Sequence, residues 1–385
     1  MPATIAIKTA ETADERDRIF RFRYDVYVEE MGKKPSVADH RNRVICDELD
    51  DGAHLFYAEA DGELVGTLRL NLRGHGTFPD FWEKVYGIET FAADFAGRIS
   101  MTSRMMVAKE WRGSLVSGAL LSAVYNANRG FGSKFDFCNC APSLLEFYEQ
   151  IGYRRFTTGF LDEDNGYRVP LVGLVRDLEH LKQVRSPLYR TVRGLEHEPE
   201  TGDWFRRTFP SYATAGTARS LSPEAFWMEL SSHLAAPPAE CVSLFEGLTA
   251  EELSGFLRSG AVLTLHPGDK IIRQGDVGDE MYVILSGVAE ATCRKGTQDY
   301  SLAIMTKGEI FGEVAFVSST VRSADVTALT DMQVLIISRG FFTRAMRKQP
   351  DVSAKVLLNL SLLLAKRLRV RTDSWLDAVT NEADA

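Results

Sequence analysis

From Gly308 to Val326 the chain reads Gly-Glu-Ile-Phe-Gly-Glu-Val-Ala-Phe-Val-Ser-Ser-Thr-Val-Arg-Ser-Ala-Asp-Val, which gathers the groups that a small anionic ligand needs. Gly312 has no Cβ, so backbone N–H groups there can approach a phosphate closely. A short helix starting near Val314 would turn its positive end toward the same anion. Arg322 adds a forked, charge-assisted contact, and Glu313 is left to accept hydrogen bonds from a ribose hydroxyl. The plain alternative is a structural ion pair between Glu313 and Arg322 in a β-fold without a ligand.

Phe311-Gly312-Glu313-Val314-Ala315, with Arg322-Ser323-Ala324 placing an arginine nine residues after the glutamate, resembles the phosphate-binding cassette of cyclic-nucleotide-binding domains. Pro267-Gly268-Asp269, Gln274-Gly275-Asp276, Gly278-Asp279 and Gly287 resemble the β-roll of the same family. The resemblance implies cAMP or cGMP as a regulatory ligand. Ser323 is compatible with either base, and cAMP is favoured. Transcription factors of this class carry a helix-turn-helix after their long helix, whereas residues 375–385 are an acidic tail too short for one. Nucleic acid is therefore not an expected partner. The basic residues Arg344, Arg347, Lys348, Lys355, Lys366, Arg367, Arg369 and Arg371 read as a solvated helix face.

In the first half, the run from Phe137 through Tyr148 to Gly152-Tyr153 reads as strand, loop and helix closed by glycine. It resembles the last motif of GNAT-type N-acyltransferases, which implies that Tyr148 protonates a departing thiolate. The loop Arg112-Gly113-Ser-Leu-Val-Ser117-Gly118 has the placement of that family's pyrophosphate loop, where amides at a helix N-terminus hold the donor. Leu115 and Ser117 stand where glycine is usual, which points to a donor other than acetyl-CoA.

Within that fold the half is most similar to acyl-homoserine lactone synthases and N-acyl amino acid synthases. Arg23 with Tyr27, Asp47 with Asp50, Gly66 with Arg69, and Ser103 with Arg104 match their motifs in order. The resemblance implies acyl-CoA or acyl carrier protein as donor, carboxylates orienting an amine, and arginines binding its carboxylate or the pantetheine phosphate. A structural salt-bridge network is the alternative. Lactone synthases carry a glutamate where this chain has Met101, which argues against a homoserine-lactone product.

These groups need elements to hold them. Apolar periodicity predicts helices over 14–30, 114–129 and 143–150 and strands over 54–60, 64–71, 99–107 and 134–138. Prolines break up 185–238, expected to be a connector with a short helix over 224–234. Glycine-punctuated strands, such as 261–265, 281–285 and 333–337, predict a β-roll. A helix over 352–370 follows, whose Val356, Leu357, Leu360, Leu363, Leu364 and Leu368 would line a dimer seam or dock on the first domain.

The chain's 385 residues exceed what one core usually serves. With 45% apolar and 25% charged residues it has the composition of a soluble globular protein, and no run is long and apolar enough to span a membrane. No secretory signal begins it, so cytoplasmic residence is expected. Five cysteines without C-x-x-C spacing and seven scattered histidines point to no metal site. The net charge of −8 also weighs against broad nucleic-acid binding.

The expected architecture is α+β: a GNAT-like α/β acyltransferase domain over 1–184, a connector over 185–238 and a cyclic-nucleotide-binding β-roll with a long C-terminal helix over 239–385. The expected function is acyl transfer from a thioester to a small-molecule amine in a homodimer under allosteric control by the nucleotide. A nucleotide-controlled protein lysine acetyltransferase and a non-enzymatic sensor are the rivals.

Overall fold

Two parallel strands joined by a helix form the centre of the first half. The computed structural model describes residues 4–76, 78–194, 198–213, 228, 238–257 and 260–383, with side chains described as far as 373. The chain divides into two units, Met1–Ser220 and Leu221–Ala385.

The first unit's strands are β1 (Ile5–Thr9), β2 (Ala38–Asp39), β3 (Val44–Ile45), β4 (His54–Ala60), β5 (Glu63–Leu72), β6 (Ile99–Val107), β7 (Phe135–Cys140), β8 (Tyr153–Arg155), β9 (Phe160–Asp162) and β10 (Gly166–Leu174). β2 and β3 pair with each other. The main sheet has the order β1-β4-β5-β6-β7-β10-β8, with β9 on β10. All its pairs are antiparallel except β6 and β7, which the helix Val116–Gly130 connects as a parallel crossover. Their register runs only from Ile99 opposite Phe135 to Met101 opposite Phe137. Beyond that the strands separate, and the sheet opens between 102–107 and 138–140.

The sheet's two faces have different surroundings. Phe135 and Phe137 point into an aromatic core with Phe91, Phe95, Phe156 and Trp204. Asp136 faces the other way, where Leu121, Val124 and Asn128 of the crossover helix line a small apolar cavity with it. Gly66 lets this helix approach β5, since a Cβ there would lie 3.0 Å from both Val116 and Leu120 side chains.

The helix expected over 14–30 is α-helical only over Ala13–Tyr24 and continues as a π-helix over Asp25–Glu30. Each π turn adds a residue to the hydrogen-bonded ring, a register change that apolar periodicity does not reveal. Within the stretch expected to be a connector, the helix Pro199–Thr208 sends Trp204 and Phe205 into the first unit's core. Trp204 Nε1 also donates to Asp94 Oδ2 at 2.6 Å. The short helix expected over 224–234 lies outside the described residues, apart from Met228.

The second unit holds two four-stranded antiparallel sheets. One is β11 (Ala261–Leu265), β18 (Met332–Ser338), β13 (Glu280–Ser286) and β16 (Ile310–Phe311); the other is β12 (Lys270–Ile272), β17 (Asp325–Ala328), β14 (Ala289–Lys295) and β15 (Gln298–Met305). Helices Arg339–Lys348 and Pro350–Ala383 follow. Val356 and Leu360 of the last helix are buried, with Ser243–Phe245 of the same unit packed against the helix. Asn359 Nδ2 clips it there, donating to the Leu244 and Glu246 carbonyls at 3.2 and 2.8 Å. That part of the expected seam is thus occupied within the unit, while Leu357 and Leu368 remain exposed. Among the described residues no helix is long and apolar enough to cross a membrane.

Trp204→Ala should destabilise the first unit by about 3–5 kcal/mol, the usual range for removing a buried large aromatic side chain. Nucleotide affinity of the second unit should stay unchanged. Urea unfolding followed alongside calorimetric nucleotide titration checks both; a change under about 1 kcal/mol would mean that Trp204 is not part of this core.

Candidate functional sites

Where β6 and β7 part, β6 carries a bulge: Thr67 of β5 pairs with Met106 but Arg69 pairs with Ser103. Arg104 sits in it with φ 56°, a left-handed conformation that costs a non-glycine residue about 1–3 kcal/mol. Three arginines and two aspartates converge there. Arg23 Nη1 donates to both oxygens of Asp50 at 2.9 Å, and both side chains are buried. Arg69 Nη1 lies 2.5 Å from Asp47 and 3.1 Å from Asp50, while its Nε donates to Ser103 Oγ at 2.9 Å. Arg104 Nη2 takes the other Asp47 oxygen at 2.5 Å.

Asp47 also caps the 3-10 turn Glu48–Asp50: it accepts from Leu49 N at 3.1 Å, and its own N–H donates to Asp50 Oδ2 at 2.9 Å. Burial would raise the Asp47 carboxyl, but Arg69 and Arg104 override it and hold it at about 2. Burial pulls the Arg23 guanidinium down to about 10 against the attraction of Asp50. The aspartates therefore fix arginines; neither has an oxygen left over to orient an amine.

Tyr27, carried by the π-helix, joins this group, with Arg104 5.8 Å from its ring centroid and Lys33 5.0 Å from it. Burial pushes its phenol up, yet Arg104, Lys33 and Arg168 outweigh that and leave it below the ordinary value. Tyr148, on the helix Leu145–Ile151, is buried, and burial drives its phenol well above the usual range. It stays protonated at neutral pH. Met101, where a glutamate was the alternative, is core.

The loop expected to hold donor phosphates leads from β6 into the crossover helix. Arg112 pairs with Glu30 at 2.6 Å and donates from Nε to the Val107 carbonyl at 3.0 Å. Gly113 has φ 77°, and the helix Val116–Gly130 starts after Leu115 with no side-chain cap. Ser117 and Gly118 lie in its first turn, where amides lack intrahelical acceptors. Sequence reasoning missed Arg168 and Asp136. Asp136 accepts from Tyr153, Thr102 and Ser100 hydroxyls at 2.6, 2.7 and 3.1 Å; burial pushes its carboxyl up to about 6 despite these bonds.

In the second unit, Gly312 (φ 80°) precedes the helix Glu313–Ser318, and Glu313, Ala315 and Arg322 are buried while Val314 and Ser323 are exposed. Phe311 stacks on Tyr282 at 4.9 Å. Arg322 Nη1 donates to the carbonyls of Glu280 and Gly312 at 2.8 and 2.9 Å. A Cβ at Gly278 would come within 2.5 Å of this guanidinium, and one at Gly312 within 2.9 Å. Arg322 Nη2 is 2.8 Å from Glu280 Oε1 as an ion pair but makes no hydrogen bond, although it is buried. Glu313 does not pair with Arg322. Arg367, expected on a solvated face, instead reaches back to Glu313 Oε1 and the Ile310 carbonyl, both at 2.7 Å. Ala324 leads into β17.

Asp47→Asn should lower stability at pH 7 by about 2 kcal/mol or more, because one pKa unit is worth about 1.4 kcal/mol. The folded carboxyl lies below its unfolded value, so its contribution is complete above about pH 4 and lost as pH falls toward 2. Urea titrations should therefore show the wild-type advantage shrinking in that window; an equal advantage at pH 7 and pH 3 would refute the assignment.

Comparison with known proteins falls along the same division. Residues 18–176 match the family model N-acyl amino acid synthase FeeM, and residues 262–349 match the cyclic nucleotide-binding domain model. The cyclic AMP receptor protein of Thermus thermophilus is 37% identical over 145 residues, 36% of this chain and 62% of that protein. Glutaminase 1 of Bradyrhizobium diazoefficiens is 36% identical over 129 residues, 33% of this chain and 20% of that protein. The solved catabolite activator protein of Thermus thermophilus aligns with TM-score 0.33 and 33% identity over 36% of this chain and 63% of that one. This chain thus spans less than two thirds of each relative's length. Residues 18–176 are thus similar to N-acyl amino acid synthase FeeM and residues 262–349 to cyclic nucleotide-binding domains, two separate likenesses in one chain.

Proposed function

We propose that the first unit, a GNAT-type fold, moves an acyl group from a CoA or acyl carrier protein thioester to the amine of an amino acid or related small molecule. Cyclic nucleotide, cAMP in preference to cGMP, sets its rate. The observation that carries the reading is Arg104, held strained in a bulge at the point where β6 and β7 open. A thioester arm entering that opening meets the uncapped turn at Ser117 and Gly118 on one sheet face and the arginine cluster on the other.

In the reaction the amine nitrogen bonds to the thioester carbonyl carbon and the C–S bond breaks. The departing thiolate takes the Tyr148 proton, and the phenolate recovers one from the attacking nitrogen. Arg23, Asp47, Asp50 and Arg69 are positioning residues that fix Arg104. The match to amino acid synthases favours a small acceptor over a protein lysine.

In the second unit, phosphate goes to Arg322 Nη2 and the ribose hydroxyl to Glu313. Because Arg367 already holds Glu313, nucleotide entry must loosen or share that contact and so biases the last helix. This links occupancy to a long, movable element.

Three outcomes are expected. Arg104→Ala abolishes thioester consumption while the fold and nucleotide binding persist. If neither acyl-CoA nor acyl carrier protein of medium or long chain reacts with any of a broad amine panel, with and without nucleotide, the enzymatic assignment fails. Arg322→Ala weakens nucleotide binding ~10- to 100-fold, the loss of a charge-assisted contact of about 1.5–3 kcal/mol; calorimetry that finds equal affinity rejects the pocket. Saturating nucleotide shifts donor affinity by about 5- to 150-fold, and identical kinetics with and without cAMP or cGMP would make the two units independent.

A further inference from the structure

Arg168 lies on β10 with its side chain on the same sheet face as Asn139, since Val169 pairs with Cys140 and Pro170 with Asn139. Its Nε donates to Asn139 Oδ1 at 2.8 Å and its Nη2 to the Asn139 carbonyl at 3.1 Å. Asn139 is itself fixed, its Nδ2 donating to Tyr86 OH at 2.9 Å. One edge of the guanidinium is thus locked to β7.

The other edge is unclaimed: Nη1 makes no hydrogen bond, and no carboxylate pairs with Arg168 among the described residues. The cluster arginines differ, because Arg23, Arg69 and Arg104 all lie against Asp47 or Asp50. Three arginines against two aspartates already leave one positive charge in excess, and Arg168 adds a second. Half-buried excess charge is unfavourable unless an anion joins it. The charge of Arg168 acts on Tyr27, which Arg104 also touches, and on Tyr148. Its partner Asn139 lies on β7 just beyond the stretch paired with β6, so the guanidinium stands at the opening between the two strands.

Which substrate brings the anion follows from the face. The uncapped turn proposed for donor phosphates begins the helix on the Asp136 side of the sheet, whereas Asn139, like Phe137, faces the opposite side. Ser103 and the Arg69 bonded to it are on that opposite side too, in phase with Met101. An anion there belongs to the acceptor.

We propose that Arg168, which no motif singles out, determines acceptor specificity by clamping the acceptor's α-carboxylate together with Arg104. The proposal rests on the acyl-transfer reading for its reaction but not for its binding step. A forked guanidinium fixed along one edge presents the geometry that carboxylates accept. The acceptor's amine then lies beside the opening through which the thioester carbonyl arrives.

The test uses the full chain, with the proteinogenic L-amino acids and their α-amides as acceptors. The best free acid should have a KM ~10- to 100-fold below that of its amide. Arg168→Gln should raise the KM for the acid by the same factor while leaving donor KM and the rate with the amide unchanged, and Arg168→Lys should restore part of the preference. Equal losses for acid and amide, or a change confined to donor KM, overturn the proposal. Calorimetry of acid and amide without donor gives a second reading: acid-selective binding lost in Arg168→Gln supports the clamp even if no thioester is consumed, in which case the acyl-transfer reading alone fails. Wild-type protein that does not distinguish acid from amide in either measurement removes the clamp.

Discussion

Asp47 held between Arg69 and Arg104 is the constraint on which the first unit's site depends. A carboxylate with both oxygens taken by guanidiniums is tolerable at low exposure because each charge has a partner. Removing either arginine would leave one Asp47 oxygen without its guanidinium inside a largely buried site. The same aspartate caps the turn that carries Asp50, and Asp50 in turn neutralises Arg23 from the first helix. One chain of ion pairs thus ties the first helix, the 47–50 turn, β5 and the bulge of β6. The strained backbone of Arg104 is affordable because this network over-determines its side chain.

A related economy shapes the second unit. Arg322 is buried against backbone carbonyls that only glycine at positions 278 and 312 leaves accessible. Its aim is set by carbonyls and by Glu280, so Glu313 is free of it and available to the last helix through Arg367. The two charges proposed to meet the nucleotide are therefore held by separate partners. A ligand that bridges them acts on two elements at once, which is the physical requirement for passing occupancy outward.

Residues with fixed motif spacing were the most legible. Glu313 and Arg322 stood out because nine residues separate them as in the cassette that the stretch resembles, and the Arg23 to Arg104 series because its order and spacing agree with the motifs of the synthases it resembles. Strands 54–60, 99–107 and 261–265 were readable to the residue because they are apolar and bounded by turns. Arg168 was not legible, since a single arginine in an apolar strand carries no spacing signal; its partner Asn139 becomes adjacent only through β7–β10 pairing. Arg367 was hidden among other basic residues on one helix, and only the helix's path distinguishes it from a solvated charge. Trp204 lay in a proline-interrupted stretch, where its packing against Phe91 could not be inferred from local pattern.

Asp136 shows how the open sheet is held on its other face. Asp136, still within the paired stretch opposite Ser100, ties the strands just before they part, accepting from the hydroxyls of Ser100 and Thr102 on β6 and of Tyr153 on β8. Because burial keeps its carboxyl up at about 6, the stitch is a group near its titration point at neutral pH, not a permanently charged one. It also forms a polar end to the apolar cavity lined by Leu121, Val124, Leu181 and Leu188. The face with the arginine cluster has guanidiniums in excess, whereas the face of the crossover helix is apolar with one carboxyl at its floor. The proposed reaction draws on both surroundings through the opening between β6 and β7, and the short parallel register that ends at Met101 and Phe137 is what leaves that opening.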